Sequence, residues 1–539
     1  MKEQVLLGDE AVALGAIHAG ISQAYGYPGT PSTEILEYLL EKSAHHEYQA
    51  SWCSNEKTAY ESAVGASLMN RRSIVTMKHV GLNVAADPFM NSVLMNIQGG
   101  LVLAVADDPG MHSSQNEQDS RWFADFAKLP CFEPRNQQEA YEMTRQAFDI
   151  SEYFRVPVMI KLVTRLSHSR AVVVPQPPRN QNPSKKFTGK ADYMVLPGIS
   201  RKHYNEHLEL MPKMESWSNE SEHNTLFFPD QSPSFPLGII TTGLGGNYYD
   251  ENKTELSQEL PRLHIGVYPL PFEKIRQLAQ RVEKIVCIEE GYPYVERLLI
   301  GILPPEKPIS GKLDGVVPPA GELNPDNVRK AMGLKPVSST PNTLTLPNRP
   351  PQLCPACPHG DSFFSLVEAL ADFPQSLVTS DIGCYTLGYL EPYNAIETAL
   401  CMGASIPMAR GAADGGMHPA IATIGDSTFM HSGLTGLADA VAANTPMTII
   451  ILDNETTAMT GGQDTIVSSS QIKKAVLGLG VDPDHVIELV PLPKRKEENT
   501  AAMKKEFAYS GLSVIIAVRE CIQTLKKKNL AKKAAGGAP

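Results

Sequence analysis

The stretch CPACPHG places Cys354 and Cys357 two residues apart, each followed by a proline, with His359 close behind. Such a pair can clamp a metal as thiolates or close as a redox disulfide. Cys384 in DIGCYTLG and Cys521 in RECIQT each follow an apolar run that reads as a strand, so all four cysteines can converge on one end of a sheet. A second constellation lies in the same region. GDSTFMHSG begins where the strand pattern PAIATIGD stops, and LDNETTAMTGG begins where PMTIIILDN stops. Ligands bind at the carboxyl ends of parallel strands, and adjacent strands would set Asp426 beside Asn454. One carboxylate, one amide oxygen and the carbonyl of Thr456 are a sufficient protein contribution to magnesium, which keeps phosphate oxygens and water. Gly425, Asp426 and Ser427 open a helix whose free N–H groups suit a diphosphate. The plainer alternative for Gly-Asp alone is an ordinary strand-to-turn junction.

These side chains need a frame to position them, and the chain reads as multi-domain α/β. At 539 residues it exceeds the roughly 250 to 300 over which one core grows, so three or four domains are expected. Residues 1–175 alternate helix with the buried strands RSIVTM, GLVLAVADD and VPVMIKL, a parallel α/β pattern. Residues 176–235 are rich in Pro, Ser and Asn and read as a connector. A second α/β unit, 236–305, carries LGIITTG, HIGVYPL and KIVCIEEG; 306–351 is a Pro-rich linker; 352–525 is the third unit; 526–539 is a basic tail.

The net charge of -11, from 48 basic and 59 acidic residues, offers no nucleic-acid groove. No run approaches the roughly 20 apolar residues of a membrane span. Charges at positions 2, 3, 9 and 10 make the start a strand feeding a helix rather than a signal peptide. Eight cysteines are too sparse for a disulfide scaffold, so reduced thiols or metal ligands in the cytoplasm are expected. Cys53, Cys131, Cys287 and Cys401 lack ligand spacing and read as buried thiols.

Gly-Asp-Ser at one strand end with Asn at the next resembles the thiamine diphosphate motif. Thiamine enzymes need a carboxylate against the aminopyrimidine ring so that its amino group can deprotonate the thiazolium carbon. SNEKTAYESAVGASLMN offers Glu56 at the start of a helix whose Ala59, Ala63 and Ala66 form a close-packed face. The helix dipole would favour its ionised form. A solvated helix cap is the bland alternative.

YGYPGTPSTEI, SNEKTAYESAVGAS, TMKHVGLNVAADP, ADDPGMHSSQNEQDSR, DIGCYTLG, GDSTFMHSG and LDNETTAMTGGQ together resemble the large, thiamine-binding subunit of indolepyruvate ferredoxin oxidoreductase, over about 5 to 525. The resemblance implies a pyrimidine-binding first domain, a transketolase C-terminal-like middle domain and a diphosphate-binding third domain. It implies oxidative decarboxylation of an aryl 2-oxoacid, electrons leaving singly through iron–sulfur chemistry and coenzyme A taking the acyl group. Carried over residue by residue, Glu56 activates thiamine, Thr30 bonds the substrate carboxylate, Lys78 and His79 line the reacting carbon, and Arg121 orients substrate. His359 points toward the diphosphate. A structural histidine is the default alternative for His79.

In the wider oxoacid:ferredoxin oxidoreductase family a CPxC pair, a cysteine after a Gly-containing strand end and a late cysteine hold a cluster, which implies that Cys354, Cys357, Cys384 and Cys521 hold one [4Fe–4S]. Structural zinc and free thiols stay open. The family usually continues into a ferredoxin-like module; here no cysteine follows Cys521. The expected partners are therefore a small subunit and ferredoxin or a cluster- or flavin-carrying subunit, in a hetero-oligomer containing two copies. A non-oxidative thiamine-dependent decarboxylase or ligase and a catalytically dead scaffold subunit are the competing readings.

Overall fold

Strands Ser73–Lys78, Leu101–Asp107 and Val158–Val163 are buried along their whole length, which explains their near-continuous apolar runs. They form the centre of a seven-stranded sheet in the computed structural model, which describes residues 2–337, 344, 347 and 350–534. Its order is Val267–Tyr268, Cys131–Phe132, Val158–Val163, Leu101–Asp107, Ser73–Lys78, Gln23–Gly26, Gln49–Trp52. All pairings are parallel except that of Val267–Tyr268 with Cys131–Phe132.

A five-stranded sheet follows in the order Ile309–Ser310, Val282–Ile288, Phe235–Thr242, Arg262–Ile265, Asn224–Phe227. The run expected as one strand, HIGVYPL, is divided at Gly266. Arg262–Ile265 stays in this sheet and Val267–Tyr268 joins the seven-stranded one. The two sheets also share cores: Ile239 and Ile288 pack with Val12, Tyr141 and Phe148, while Ile240 and Leu263 pack with Met77 and Leu103. Each such fully buried aliphatic chain contributes about 1.5 to 3 kcal/mol. Accordingly the chain divides into two compact units, Met1–Pro341 and Asn342–Pro539, the first holding both sheets.

The stretch 176–235 contains more structure than its composition suggests: helix Pro197–Glu220 and strand Asn224–Phe227, which closes one edge of the five-stranded sheet. The end of the linker, from 338, falls largely outside the described residues, as do residues 535–539 of the basic tail. The part of the tail that is described belongs to helix Ile522–Ala534.

In the second unit six strands are all parallel, in the order Thr398–Ala399, Leu377–Ser380, Ala420–Gly425, Met447–Asp453, Ser513–Val518, Val486–Leu489. The register pairs Gly425 with Leu452 and Asp453 with Val518, so the residues that follow three strands emerge side by side. Asp426 and Asn454 follow two of those strands at that edge.

Candidate active site

At the end of Ala420–Gly425 the chain enters a helical stretch at once: Asp426–Thr428, a π-helical turn Phe429–Gly433, then Leu434–Ala442. π-helical turns are frequent at functional sites. Gly425 is required by the ring of Tyr385, because a Cβ there would come within 2.6 Å of it. Asp426 is buried and its Oδ2 has no hydrogen-bond partner. Burial and the neighbouring carboxylate of Asp453 push its pKa well up. Asp453, buried as well, also leaves Oδ2 unpartnered while Oδ1 accepts from the Glu455 N–H at 3.2 Å. Two buried carboxylates with bare oxygens suit a divalent cation, whose charge would let both ionise.

The loop after Met447–Asp453 shapes the rest. Glu455 takes a left-handed φ of 58°, and Thr456 N–H donates to Asn454 Oδ1 at 3.2 Å. Thr456 is fixed by donating to the Gln463 carbonyl at 3.0 Å, and Thr457 donates to Ser427 Oγ at 3.1 Å. Asn454 Nδ2 donates to His359 Nε2 at 2.9 Å. That bond assigns the ring proton to Nδ1. Burial lowers the His359 pKa to about 4, so the ring is neutral. Asp426, Ser427, Asn454, Thr456 and His359 are thus brought together.

Cys354, Cys357, Cys384 and Cys521 line one cavity of about 190 Å³ together with His359 and Asn454. Cys357 precedes helix Pro358–Leu370, and the N–H groups of His359 and Gly360 point at its sulfur. Gln523 Nε2 donates to Cys354 Sγ at 3.2 Å, and Cys521 N–H donates to the Asn454 carbonyl at 3.0 Å. Arg519 ties the CPAC loop to the last strand through Asp361 at 2.6 Å and the Ala356 carbonyl at 2.7 Å. Burial, then the other three cysteines, push the Cys384 thiol up to about 12. As thiolates this set needs a cationic centre to hold it. Of the remaining cysteines, Cys131 and Cys287 are buried, Cys53 is half-buried, and Cys401 is exposed, contrary to the reading of all four as buried thiols.

In the first unit Glu56 opens helix Glu56–Leu68, whose N-cap Asn55 accepts from the Thr58 N–H at 2.9 Å. The carboxyl is buried rather than solvated and lies against Gly81, where a Cβ would come within 2.5 Å of Oε1. Lys78, the last residue of Ser73–Lys78, donates to the Ser113 carbonyl at 2.8 Å. Burial lowers its pKa to about 8, against the opposing pull of Asp108 and Glu56. His79 Nε2 lies 3.2 Å from the Asn116 carbonyl, while Nδ1 is buried without a partner. Burial and Lys78 lower its pKa. Thr30 sits half-buried in a turn held by Ser32 Oγ to the Gly29 carbonyl at 2.8 Å and Gly29 N–H to Thr33 Oγ1 at 2.9 Å. Gly29 lies against the Lys78 stem, 3.0 Å from a would-be Cβ to Cδ. Glu56, Lys78, His79 and the Thr30 turn form one cluster.

Arg121 does not join it. Its guanidinium is 1% exposed and bonds Asp119 through Nε at 3.0 Å, Glu289 at 3.0 Å and the carbonyls of Glu290 and Tyr292 at 2.8 and 3.2 Å. With its donors spent on the protein itself, it pins the two sheets of the first unit.

Residues 381–517 match the thiamine pyrophosphate enzyme C-terminal TPP-binding domain, and 14–216 match the thiamine diphosphate-binding domain of pyruvate flavodoxin/ferredoxin oxidoreductases. Indolepyruvate oxidoreductase subunit IorA of Archaeoglobus fulgidus is 37% identical over 96% of this chain and 86% of its own length. The chain belongs to the IorA family. The IorA of Methanothermobacter thermautotrophicus is 34% identical over 96% of this chain and 86% of the relative, and that of Pyrococcus abyssi 35% identical over 96% and 85%. As a family member the chain is an oxidoreductase of the 2-oxoacid:ferredoxin type with thiamine diphosphate-binding domains.

Three groups escape a reading of the sequence alone. Asp453 lies inside the apolar run that reads as strand, so its pairing with Asp426 is a property of register. Gly81 matters through the space it leaves for Glu56. Asp108 organises the loop beneath Lys78 by accepting from Ser113 N–H at 2.8 Å, Ser114 Oγ at 2.7 Å and Thr164 Oγ1 at 2.7 Å. Its position in ADDPG at a strand end was the available signal.

Proposed function

We propose that this chain oxidatively decarboxylates an aryl 2-oxoacid of the indolepyruvate kind to the aryl-acetyl-CoA, passing electrons singly through one [4Fe–4S] cluster to ferredoxin or a partner subunit. The observation that carries this reading is the single cavity lined by four cysteines, beside Asn454 and His359. Thiamine diphosphate would supply the carbon nucleophile and electron sink. Asp426, Asn454 and the Thr456 carbonyl would hold magnesium, with Asp453 as an added counter-charge, and Gly425 and Ser427 would face the diphosphate. Glu56 would bond the aminopyrimidine. Thr30 would take the substrate carboxylate, Lys78 would offer positive charge and His79 Nδ1 a proton acceptor.

Among the described residues, no three of the cysteine sulfurs fall within 4.8 Å of one another. Zinc at its 2.3 Å bond length would draw four sulfurs to about 3.8 Å, so the wider spacing favours a cluster. The relatives are named as subunits, which supports a partner subunit; we assign it as the small subunit, in a hetero-oligomer containing two copies. Among the described residues no helix is long and apolar enough to cross a membrane, in keeping with the cytoplasmic placement we assign.

Anaerobic purification with its partner tests this. Brown protein with about four irons and an electron paramagnetic signal on reduction is expected, together with acceptor-linked, coenzyme A-dependent turnover. Cys521→Ser should lose iron and keep thiamine binding; Asp426→Ala should lose calorimetric thiamine diphosphate binding in a folded protein. Iron-free protein with full acceptor-linked activity overturns the electron route, and an aldehyde product without an acceptor favours the non-oxidative alternative.

A further inference from the structure

Away from the Glu56 cluster, the first unit gathers three potential metal donors from three helices. Asp9 lies in the first turn of Gly8–His18, Glu34 in the first turn of Thr33–Ser43, and His168 ends Thr164–His168. One ligand atom of each lies within 4.8 Å of the other two. The fold enforces the meeting. Strand Gln4–Leu7 pairs antiparallel with Arg170–Val173, matching Leu7 to Arg170, and Gly8 lies so close to Leu166 that a Cβ would sit 2.2 Å from its carbonyl oxygen.

Asp9 is 0% exposed, and neither carboxylate oxygen has a hydrogen-bond partner. The Ser167 hydroxyl lies beside it, short of hydrogen-bond geometry, and opposes the rise in its pKa. A buried carboxylate with two bare oxygens is costly unless a charge or donor compensates it. The one histidine in the group, through Nε2, stands 3.4 Å from Glu34 Oε2, and the His168 and Glu34 side chains are 36% and 34% exposed. The trio therefore runs from a fully buried acid to two side chains that water reaches.

We propose that Asp9, Glu34 and His168 bind one divalent transition-metal ion of the zinc class, with water completing its coordination. An imidazole with two carboxylates is a borderline donor set suited to zinc, cobalt or manganese, whereas calcium and magnesium prefer oxygen alone. Two carboxylates and a neutral imidazole balance the ion's charge. Without a cation, burial and the nearby Glu34 hold the Asp9 carboxyl well above the usual range, and Glu10 adds to this. His168 is drawn upward by Glu34, Asp9 and Asp108. Zinc would displace its proton and tie the N-terminal helix to the helix that starts just after the Thr30 turn. The site is independent of the proposed chemistry and would act by fixing that turn.

The test uses the full chain, purified anaerobically, with zinc alone and cobalt alone as probes. Wild type should retain one more zinc per chain in equilibrium dialysis than His168→Ala or Asp9→Asn, at equal iron content. Zinc should raise the unfolding temperature of wild type by several degrees and leave both variants unmoved. Cobalt at this site should give weak visible bands without the intense near-ultraviolet sulfur charge transfer that cysteine ligation produces. Asp9→Asn replaces a buried acid by an amide of the same size and guards against loss of folding. Equal zinc uptake by wild type and both variants, or a cobalt spectrum carrying only the sulfur bands, overturns the site.

Discussion

Two buried charged clusters in the first unit differ in one respect. Arg121 meets Asp119 and Glu289 and donates to the Glu290 and Tyr292 carbonyls, while Tyr268 donates to Glu133 at 2.6 Å and Lys161 donates to Glu133 at 2.9 Å. The cluster of Glu56, Lys78 and His79 is as deeply buried, yet His79 Nδ1 is bare and the Lys78 pKa falls to about 8. Burial is common to both; satisfaction is near-complete only in the first, where a single oxygen, Oδ1 of Asp107 beside Lys161, is left bare. A saturated network spends its charges on holding sheets together, whereas an under-satisfied one stores capacity for a ligand.

The largest difference should appear on deleting one cation from each cluster. Arg121→Met leaves Asp119 and Glu289 buried without their partner, and breaking such a pair costs about 3 to 5 kcal/mol. The expected outcome is insoluble or strongly destabilised protein in urea unfolding. Lys78→Met removes a desolvated ammonium that donates to one carbonyl, so its unfolding midpoint should hold or rise while turnover falls. Comparable destabilisation by the two variants would break the distinction.

Glu56 sharpens the comparison from the catalytic side. Glu56→Gln keeps the shape against Gly81 and removes the proton-accepting carboxylate, so thiamine diphosphate should still bind while turnover drops by about 10² to 10⁴. Gly81→Ala keeps the carboxylate but places a methyl 2.5 Å from the present position of Oε1, so the carboxylate must shift. It should lower turnover by about tenfold through misplacement alone. Near wild-type rates in Glu56→Gln would reduce that residue to a helix cap.

The readable part of the molecule was its periodic part. Parallel strands announce themselves by apolar runs, and a residue just past a strand end is placed by the strand; hence Asp426, Asn454, Cys384 and Cys521 were legible, and the structure brings them to one edge. The ion-pair partners of Arg121 were not legible, because Glu289 follows the distant strand Val282–Ile288 and nothing local to EQDSR reveals it. HIGVYPL could not disclose that Gly266 hands the chain from one sheet to another. Helix Pro197–Glu220 was hidden by flanking prolines, by Pro212 within it and by a largely polar sequence. Asp9, Glu34 and His168 are separated by whole elements, so only the strand register that joins Leu7 to Arg170 shows them as neighbours.

The smallest effect separates the two clusters by pH alone. The pKa of Lys78 falls from 10.5 to about 8 on folding. Between those values the unfolded chain holds more protons than the folded one, so this residue makes stability rise with pH from about 8 toward 10.5. Below about 8 both states are charged and the whole desolvation penalty is felt. Its size is on the order of 3 kcal/mol, since one unit corresponds to about 1.4 kcal/mol. Catalysis should move the other way, because the proposed role needs the cation: turnover should decline as pH passes about 8 while the unfolding midpoint climbs. Lys78→Arg keeps its charge through this range and should push the activity limb to higher pH, and Lys78→Met should flatten the stability slope. Arg121→Lys supplies the contrast, since a saturated ion pair should lose stability at every pH tested without moving the activity limb. If wild type and Lys78→Arg decline at the same pH, the limb belongs to another group and Lys78 is a buried structural cation like Lys161.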